Sequence, residues 1–340
     1  MASKQGLSAA AGAAAVTALT AAAFVSIDYY LNRNKLQKDN ENLFIPKELL
    51  QSPYADELRL AVRLAKRAGA NMAGYLDARG TVEESKFDIG IVNSKSSDID
   101  LVTSIDVENE RLVTQGIRAA FPTHDVIGEE AVGTGSIPDL RRHVPTWIID
   151  PIDGTTNFSQ GLHVTCVSIG FCVDGEPVMG VIYAPAASEW YLAVRSHGAF
   201  RNGVRISVPK KEKKLNSSIV GCAYGHAREE KEIYAMTSAI ANLLRHGCGA
   251  IRQMGSTCLE LCYVATGKLD VFYGGVASEG GKPWDYCAAL VVCREAGCIM
   301  ETLRQESLDL PFDLYNQSVI CGISRELVDE TRSVIAKYIL

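Results

Sequence analysis

The apolar positions of this 340-residue chain change period several times, and each change marks an element. From Ala55 to Ala73, Leu58, Val62, Ala65 and Met72 fall near one face at helical spacing, which predicts an amphipathic helix. A second helical run extends from Val107 to Ala120. Short apolar runs then follow at Val164 to Val173, Pro177 to Tyr183 and Glu189 to Val194, the signature of an antiparallel meander. Asp174-Gly175 and Asn202-Gly203 are the turn pairs expected between hairpin strands. Further on, short strands are predicted at Ser218 to Cys222, Leu269 to Tyr273, Ile299 to Thr302 and Ser318 to Cys321, alternating with helices. One helix opens at Lys282-Pro283-Trp284-Asp285, with Pro and Asp in its first turn and Ala288, Ala289, Val292 and Ala296 at helical spacing behind them. No internal repeat is visible.

The most informative segment is Trp147-Ile148-Ile149-Asp150-Pro151-Ile152-Asp153-Gly154-Thr155-Thr156-Asn157-Phe158. A buried strand there runs into a tight turn that carries two carboxylates three residues apart. Carboxylates held that close repel each other unless cations lie between them, and hard oxygen ligands of this kind suit Mg²⁺. Thr155 places a hydroxyl next to any attacking water. On its own this spacing also describes a solvated Asx-rich turn. Three other segments bring further acidic groups. Gly128-Glu129-Glu130 follows the apolar pair Val126-Ile127. Asp285 sits in a helix first turn, where it can equally be a dipole-compensating cap. Lys95-Ser96-Ser97-Asp98-Ile99-Asp100-Leu101-Val102-Thr103-Ser104-Ile105-Asp106 precedes the Val107 to Ala120 run.

Together, in this order and at these distances, the four segments resemble the inositol monophosphatase family of metal-dependent sugar and cyclitol phosphatases. The resemblance extends from about Pro53 to the C-terminus. It takes in Val167-Ser168-Ile169-Gly170-Phe171, Gly198-Ala199-Phe200-Arg201-Asn202-Gly203, and Gly255-Ser256 leading into a helix that ends at Val264-Ala265-Thr266-Gly267. It implies a layered α/β fold, the αβαβα sandwich. It also implies that Glu129, Asp150 and the Ile152 carbonyl hold one Mg²⁺, that Asp150, Asp153 and Asp285 hold a second, and that a third, weaker ion rests on Glu129. Thr155 and Asp106 match the pair that orients the attacking water. Backbone N–H groups of Gly154 and Thr155 would cradle the phosphate, with glycine at 154 because a side chain would block that approach. Lys95 matches a basic residue supporting the third ion, and Glu130 is either a supporting acid behind the ligands or a solvated surface group. Inhibition by Li⁺ and a homodimer are further implications.

Departures from the family pattern bear on the substrate. Inositol-specific members carry a Glu shortly before the Trp-Asp pair, where this chain has Gly274 and a longer glycine-rich connection to Gly281. Glu279 can reach ring hydroxyls from a shifted position or belong to a plain surface loop. Ile105 stands where many members have a small polar residue. Thr155-Thr156-Asn157-Phe158 matches the monophosphatase version of the motif and not the Lys-Gly of the bisphosphate nucleotidases. The expectation is hydrolysis of a small phosphorylated polyol, inositol 1-phosphate foremost. Galactose 1-phosphate and histidinol phosphate are the other monoesters to consider, and a catalytically silent metal- or phosphate-binding scaffold is the reading from another class.

Composition adds limits. Net charge is −6, from 34 basic and 40 acidic residues, which argues against a nucleic-acid surface and requires cations before an anionic substrate can bind. Ten cysteines sit in apolar runs with no C-x-x-C, as expected of buried free thiols in a reducing compartment. Residues 5–27 carry no charge and are rich in alanine, at ten of 23 positions. Such a stretch within residues 1–30 fits a marginal membrane anchor facing the cytoplasm or a cleaved signal or organelle-targeting segment, with a disordered segment or surface helix the third alternative. Residues 31–52 read as a linker. The catalytic region, 53–340, is expected to have halves of about 53–209 and 216–340, joined across the solvated charge run Lys210-Lys211-Glu212-Lys213-Lys214.

Overall fold

The computed structural model describes residues 45–86, 90–94, 101–210, 213–277, 280–304 and 312–340. Residues 1–44, Lys95 and Glu279 therefore lie outside the described residues. Among those described, no helix is long and apolar enough to cross a membrane. Ile45 to Leu340 make one compact unit. Within the expected linker, a short helix spans Lys47–Leu50 and Leu49 is fully buried, so the packed body begins ahead of Pro53.

Two sheets dominate. The larger runs in sequence order from β3 (Asp125–Gly128) through β4 (Thr146–Asp153), β5 (Cys166–Val173), β6 (Glu176–Ala184), β7 (Glu189–Val194) and β8 (Gly198–Arg201) to β9 (Val204–Ile206). Only its first pair is parallel. The smaller sheet combines β10 (Ile219–Ala223), β11 (Ala250–Arg252), β12 (Val271–Gly274), β13 (Ile299–Glu301) and β14 (Val319–Gly322) in the order β11-β10-β12-β14-β13. A separate antiparallel pair joins β1 (Ile91–Ser94) and β2 (Leu101–Thr103). Both hairpin turn pairs have positive φ at both residues: Asp174 (53°) with Gly175 (85°), and Asn202 (49°) with Gly203 (80°). Those are the angles that let a two-residue turn follow the twist of its strands.

Helices fill the layers between and outside the sheets. Ala55–Ala78 and Ser104–Ala120 pack together, the first against β5 and β6 and the second against β4. Thr257–Ala265 and Pro283–Ala296 lie between the sheets, touching strands of both. Glu230–His246 and Arg325–Ile335 pack together, and the latter covers β12 and β14. The result is the layered αβαβα arrangement expected from the resemblance.

The buried Pro283–Ala296 helix lies unusually close to the large sheet. Gly170 and Gly180 are cross-strand partners beneath it, and a Cβ on either would stand 2.3 Å from the Cys287 Sγ or the Ala288 carbonyl. This approach brings the helix N-terminus, with Asp285, to the end of β4. The charge run is a partial departure from expectation. Lys213 places its Nζ 2.9 Å from both carboxylate oxygens of the buried Asp270, whose Oδ2 also accepts the N–H of Ile219 at the start of β10. A buried carboxylate needs a cation nearby, so Lys213 is a packing partner and not merely solvated. All ten cysteines are free thiols, nine of them buried.

Candidate active site

The end of β4 departs from regular pairing where the two aspartates sit. Asp150 stands opposite Ser168 and Asp153 opposite Cys166, so three steps on β4 match two on β5. In an unbroken strand, residues three apart point to opposite faces; the extra residue resets the alternation and turns both carboxylates the same way. Asp285 joins them from the third position of the Pro283–Ala296 helix, whose first position is Pro283 and where its Oδ2 accepts the Lys282 N–H at 2.6 Å. One carboxylate oxygen from each of Asp150, Asp153 and Asp285 lies within 4.8 Å of the others.

The electrostatics of this cluster are adverse for a bare protein. Burial pushes the Asp150 carboxyl well above the usual carboxylate range, and the neighbouring Glu129, Asp153 and Asp285 push it the same way. Asp285 is raised for the same reasons, burial first and then Asp153 and Glu129. Asp153 is pushed up to about 6 by burial, despite the Ser256 hydroxyl and the Cys258 N–H (2.9 Å) that donate to its Oδ2. Packed oxygen donors whose charges repel each other are a fit for hard divalent cations. The implied metal therefore suits these residues.

Glu129 opens the Glu129–Val132 turn directly after β3 and lines the same cleft, and its charge is felt at all three aspartates. Glu130 does not line the cleft; its backbone N–H donates to Glu110 Oε2 at 2.7 Å. The cleft encloses about 450 Å³. Ile152, Gly154 and Thr155 line it beside the carboxylates, and Ile137, Tyr224, His226, Thr257 and Trp284 contribute from other elements.

Thr155 is held from behind. Its hydroxyl lies 3.2 Å from Asp106 Oδ1 and 3.0 Å from the Ile152 carbonyl oxygen. Asp106 is fully buried at the third position of the Ser104–Ala120 helix, where its Oδ2 accepts both the N–H (2.9 Å) and the hydroxyl of Thr103. Gly154 adopts φ 85°, and a Cβ there would stand 2.9 Å from the Val164 carbonyl and 3.1 Å from that of Gly255. Backbone angle and neighbouring carbonyls are therefore a reason for glycine at 154 in their own right, whether or not a phosphate approaches.

The structure thus brings Glu129, Asp150, Ile152, Asp153, Gly154, Thr155 and Asp285 to one cleft, with Asp106 behind Thr155. Sequence reasoning missed Ser256 and Cys258, which hold Asp153 from the start of the Thr257–Ala265 helix, and it missed Glu110. Ser256 before an apolar helix reads as an ordinary cap, and nothing local shows that its partner is 103 residues away.

A carboxylate cluster at a strand end, a threonine–aspartate pair and the αβαβα layers define a metal-assisted phosphatase architecture. The chain belongs to the inositol monophosphatase family, whose sequence model matches residues 55–339. It is 36% identical to mouse (Mus musculus) inositol monophosphatase 2 over 282 residues, 82% of this chain and 90% of the mouse protein. Human (Homo sapiens) inositol monophosphatase 1 is 32% identical over 280 residues, 82% of this chain and 94% of the human protein. Among solved structures, the inositol monophosphatase from Anabaena (Nostoc) superposes with a TM-score of 0.67 at 27% identity, covering 84% of this chain and 97% of that one.

Proposed function

We propose that this protein hydrolyses a small polyol phosphate monoester, inositol 1-phosphate foremost, to the free polyol and inorganic phosphate. The observation that carries this is the meeting of Asp150, Asp153 and Asp285 within 4.8 Å at a cleft that also holds Glu129 and Thr155. In this reading Glu129, Asp150 and the Ile152 carbonyl would hold one Mg²⁺, Asp150, Asp153 and Asp285 would hold another, and Glu129 would support a third. Bound there, the ions would neutralise charge on the attacking and leaving oxygens and would make water a better nucleophile.

The chain's own groups do the rest. Asp106 and the Ile152 carbonyl both face the Thr155 hydroxyl as acceptors, so its one hydrogen points inward and its lone pairs remain for a proton of the attacking water. The N–H groups of Gly154 and Thr155 contact the phosphate. Attack forms a P–O bond to the water oxygen and breaks the P–O ester bond; the water's proton passes by way of the Thr155 hydroxyl to Asp106, and the leaving alkoxide takes a proton from a solvent water to become the free polyol.

Tyr224 and His226 also line the cleft and are candidates for substrate choice. Glu279, in the Gly274 to Gly281 sequence, stays a candidate for ring hydroxyls, as Lys95 does for the third ion. Glu279→Gln should raise KM for inositol 1-phosphate, and unchanged kinetics would remove that role. The homodimer is part of the same proposal and is read by sedimentation velocity. The deciding experiment measures phosphate release from inositol 1-phosphate, galactose 1-phosphate, histidinol phosphate and adenosine 3′,5′-bisphosphate, with Mg²⁺ and with EDTA. A Mg²⁺-dependent preference for one monoester supports the proposal, and no release from any of them contradicts it.

A further inference from the structure

We propose that Glu110 is a positioning residue, a buried carboxylate that clamps the turn carrying Glu129 and so sets where the Glu129 side chain meets the cation cluster. The inference rests on reading Glu129 as a metal ligand.

Glu110 is 6% exposed, on the helix face that also buries Asp106. Its two oxygens divide the work: Oε2 accepts the N–H of Glu130 at 2.7 Å and Oε1 the N–H of Ala131 at 2.8 Å. Those N–H groups lie at the start of a short turn, where no backbone carbonyl of the same turn can take them. The residue before Glu129 is shaped to admit this clamp. A Cβ on Gly128 would stand 2.4 Å from the Glu110 Cδ and within 2.6 Å of both oxygens.

Asp106 and Glu110 are one helical turn apart, so a single rigid element grips Thr155 with one carboxylate and the Glu129 turn with the other. Asn109, between them in sequence, touches neither grip: it ties the helix to its Ala55–Ala78 neighbour, donating to the Ala68 carbonyl at 3.2 Å and accepting from Asn71 at 2.9 Å. The helix therefore acts as a spacer between the hydroxyl that faces the water and a carboxylate that faces the cations. Loosening the clamp should weaken cation binding while leaving the reaction intact once cations are saturating.

The test uses the full-length protein with Glu110→Gln, which keeps one acceptor oxygen but turns an amide donor toward a backbone N–H. Mn²⁺ binding is read without substrate by electron paramagnetic resonance of the free ion, alongside the Mg²⁺ dependence of phosphate release. We expect Mn²⁺ affinity and Mg²⁺ half-saturation to weaken together by about tenfold, with kcat at saturating Mg²⁺ within about threefold of the parent. Gly128→Ala, which pushes on the same carboxylate from the other side, should show the same pattern, and it decides the question if Glu110→Gln does not fold. Asn109→Ala is the structural control: it should lower the thermal midpoint and leave Mn²⁺ affinity unchanged.

Parental Mn²⁺ affinity in Glu110→Gln would overturn the proposal, as would an equal loss of affinity in Asn109→Ala. Because Mn²⁺ binding needs no substrate, an unmodified protein that binds Mn²⁺ but hydrolyses nothing would defeat the proposed function while leaving the role of Glu110 to be decided by the variants.

Discussion

The hydroxyl of Thr155 sits between two acceptors, Asp106 Oδ1 at 3.2 Å and the Ile152 carbonyl at 3.0 Å, and it has one hydrogen to give. Asp106 Oδ2 is occupied by the N–H and hydroxyl of Thr103, and it is the other oxygen, Oδ1, that faces Thr155. The pair should therefore behave as one unit. Thr155→Ala and Asp106→Asn are each expected to lower kcat by about 100-fold or more, in the range for a positioned acid–base group. The double variant should be little worse than either single one. Additive losses in steady-state kinetics would show that the two residues act separately.

Gly154→Ala tests the turn that follows. Alanine at φ 85° costs about 1–2 kcal/mol in backbone strain, before any displacement of the Val164 carbonyl 2.9 Å from the new Cβ. The thermal midpoint should fall by several degrees and activity should drop with it, because Gly154 and Thr155 line the cleft. Calorimetry showing an unchanged midpoint would mean the turn relaxes without strain.

The raised carboxyls give a pH prediction with a definite sign. Burial pushes the Asp153 carboxyl up to about 6 in the native state, whereas the unfolded chain releases that proton near the ordinary 3.8. Protons therefore favour the metal-free native state, and this contribution, complete below about pH 3.8, is lost as pH rises to about 6. Cations bind the ionised cluster, so the rise in thermal midpoint on replacing EDTA with Mg²⁺ should be larger at pH 7.5 than at pH 5. An equal rise at both would separate cation binding from these carboxyls.

Much of this site is legible in the sequence because it depends on local signals. The apolar run Trp147 to Ile149 ending in Asp150 reads directly as a strand delivering acid to its end, and Pro283 before Asp285 reads as a helix start. The positive-φ pairs Asp174-Gly175 and Asn202-Gly203 announce their hairpins. What the sequence hides is set by partners far along the chain. The irregularity between Asp150 and Asp153 is visible only against Cys166 and Ser168. Glu110 sits four residues after Asp106, a spacing that looks like any charged helix face until the Glu129 turn is folded against it. Lys213 reads as one more charge in a solvated run until Asp270 appears beside it.

The central claim, that Asp153 is a cation ligand on which hydrolysis depends, is tested most directly by comparing the unaltered protein with Asp153→Asn. Phosphate release from inositol 1-phosphate is followed across a Mg²⁺ titration, with circular dichroism as the check on folding. Mg²⁺-dependent turnover is expected in the former, and in the variant a native spectrum with turnover nearly abolished. Normal turnover in a folded Asp153→Asn would contradict it.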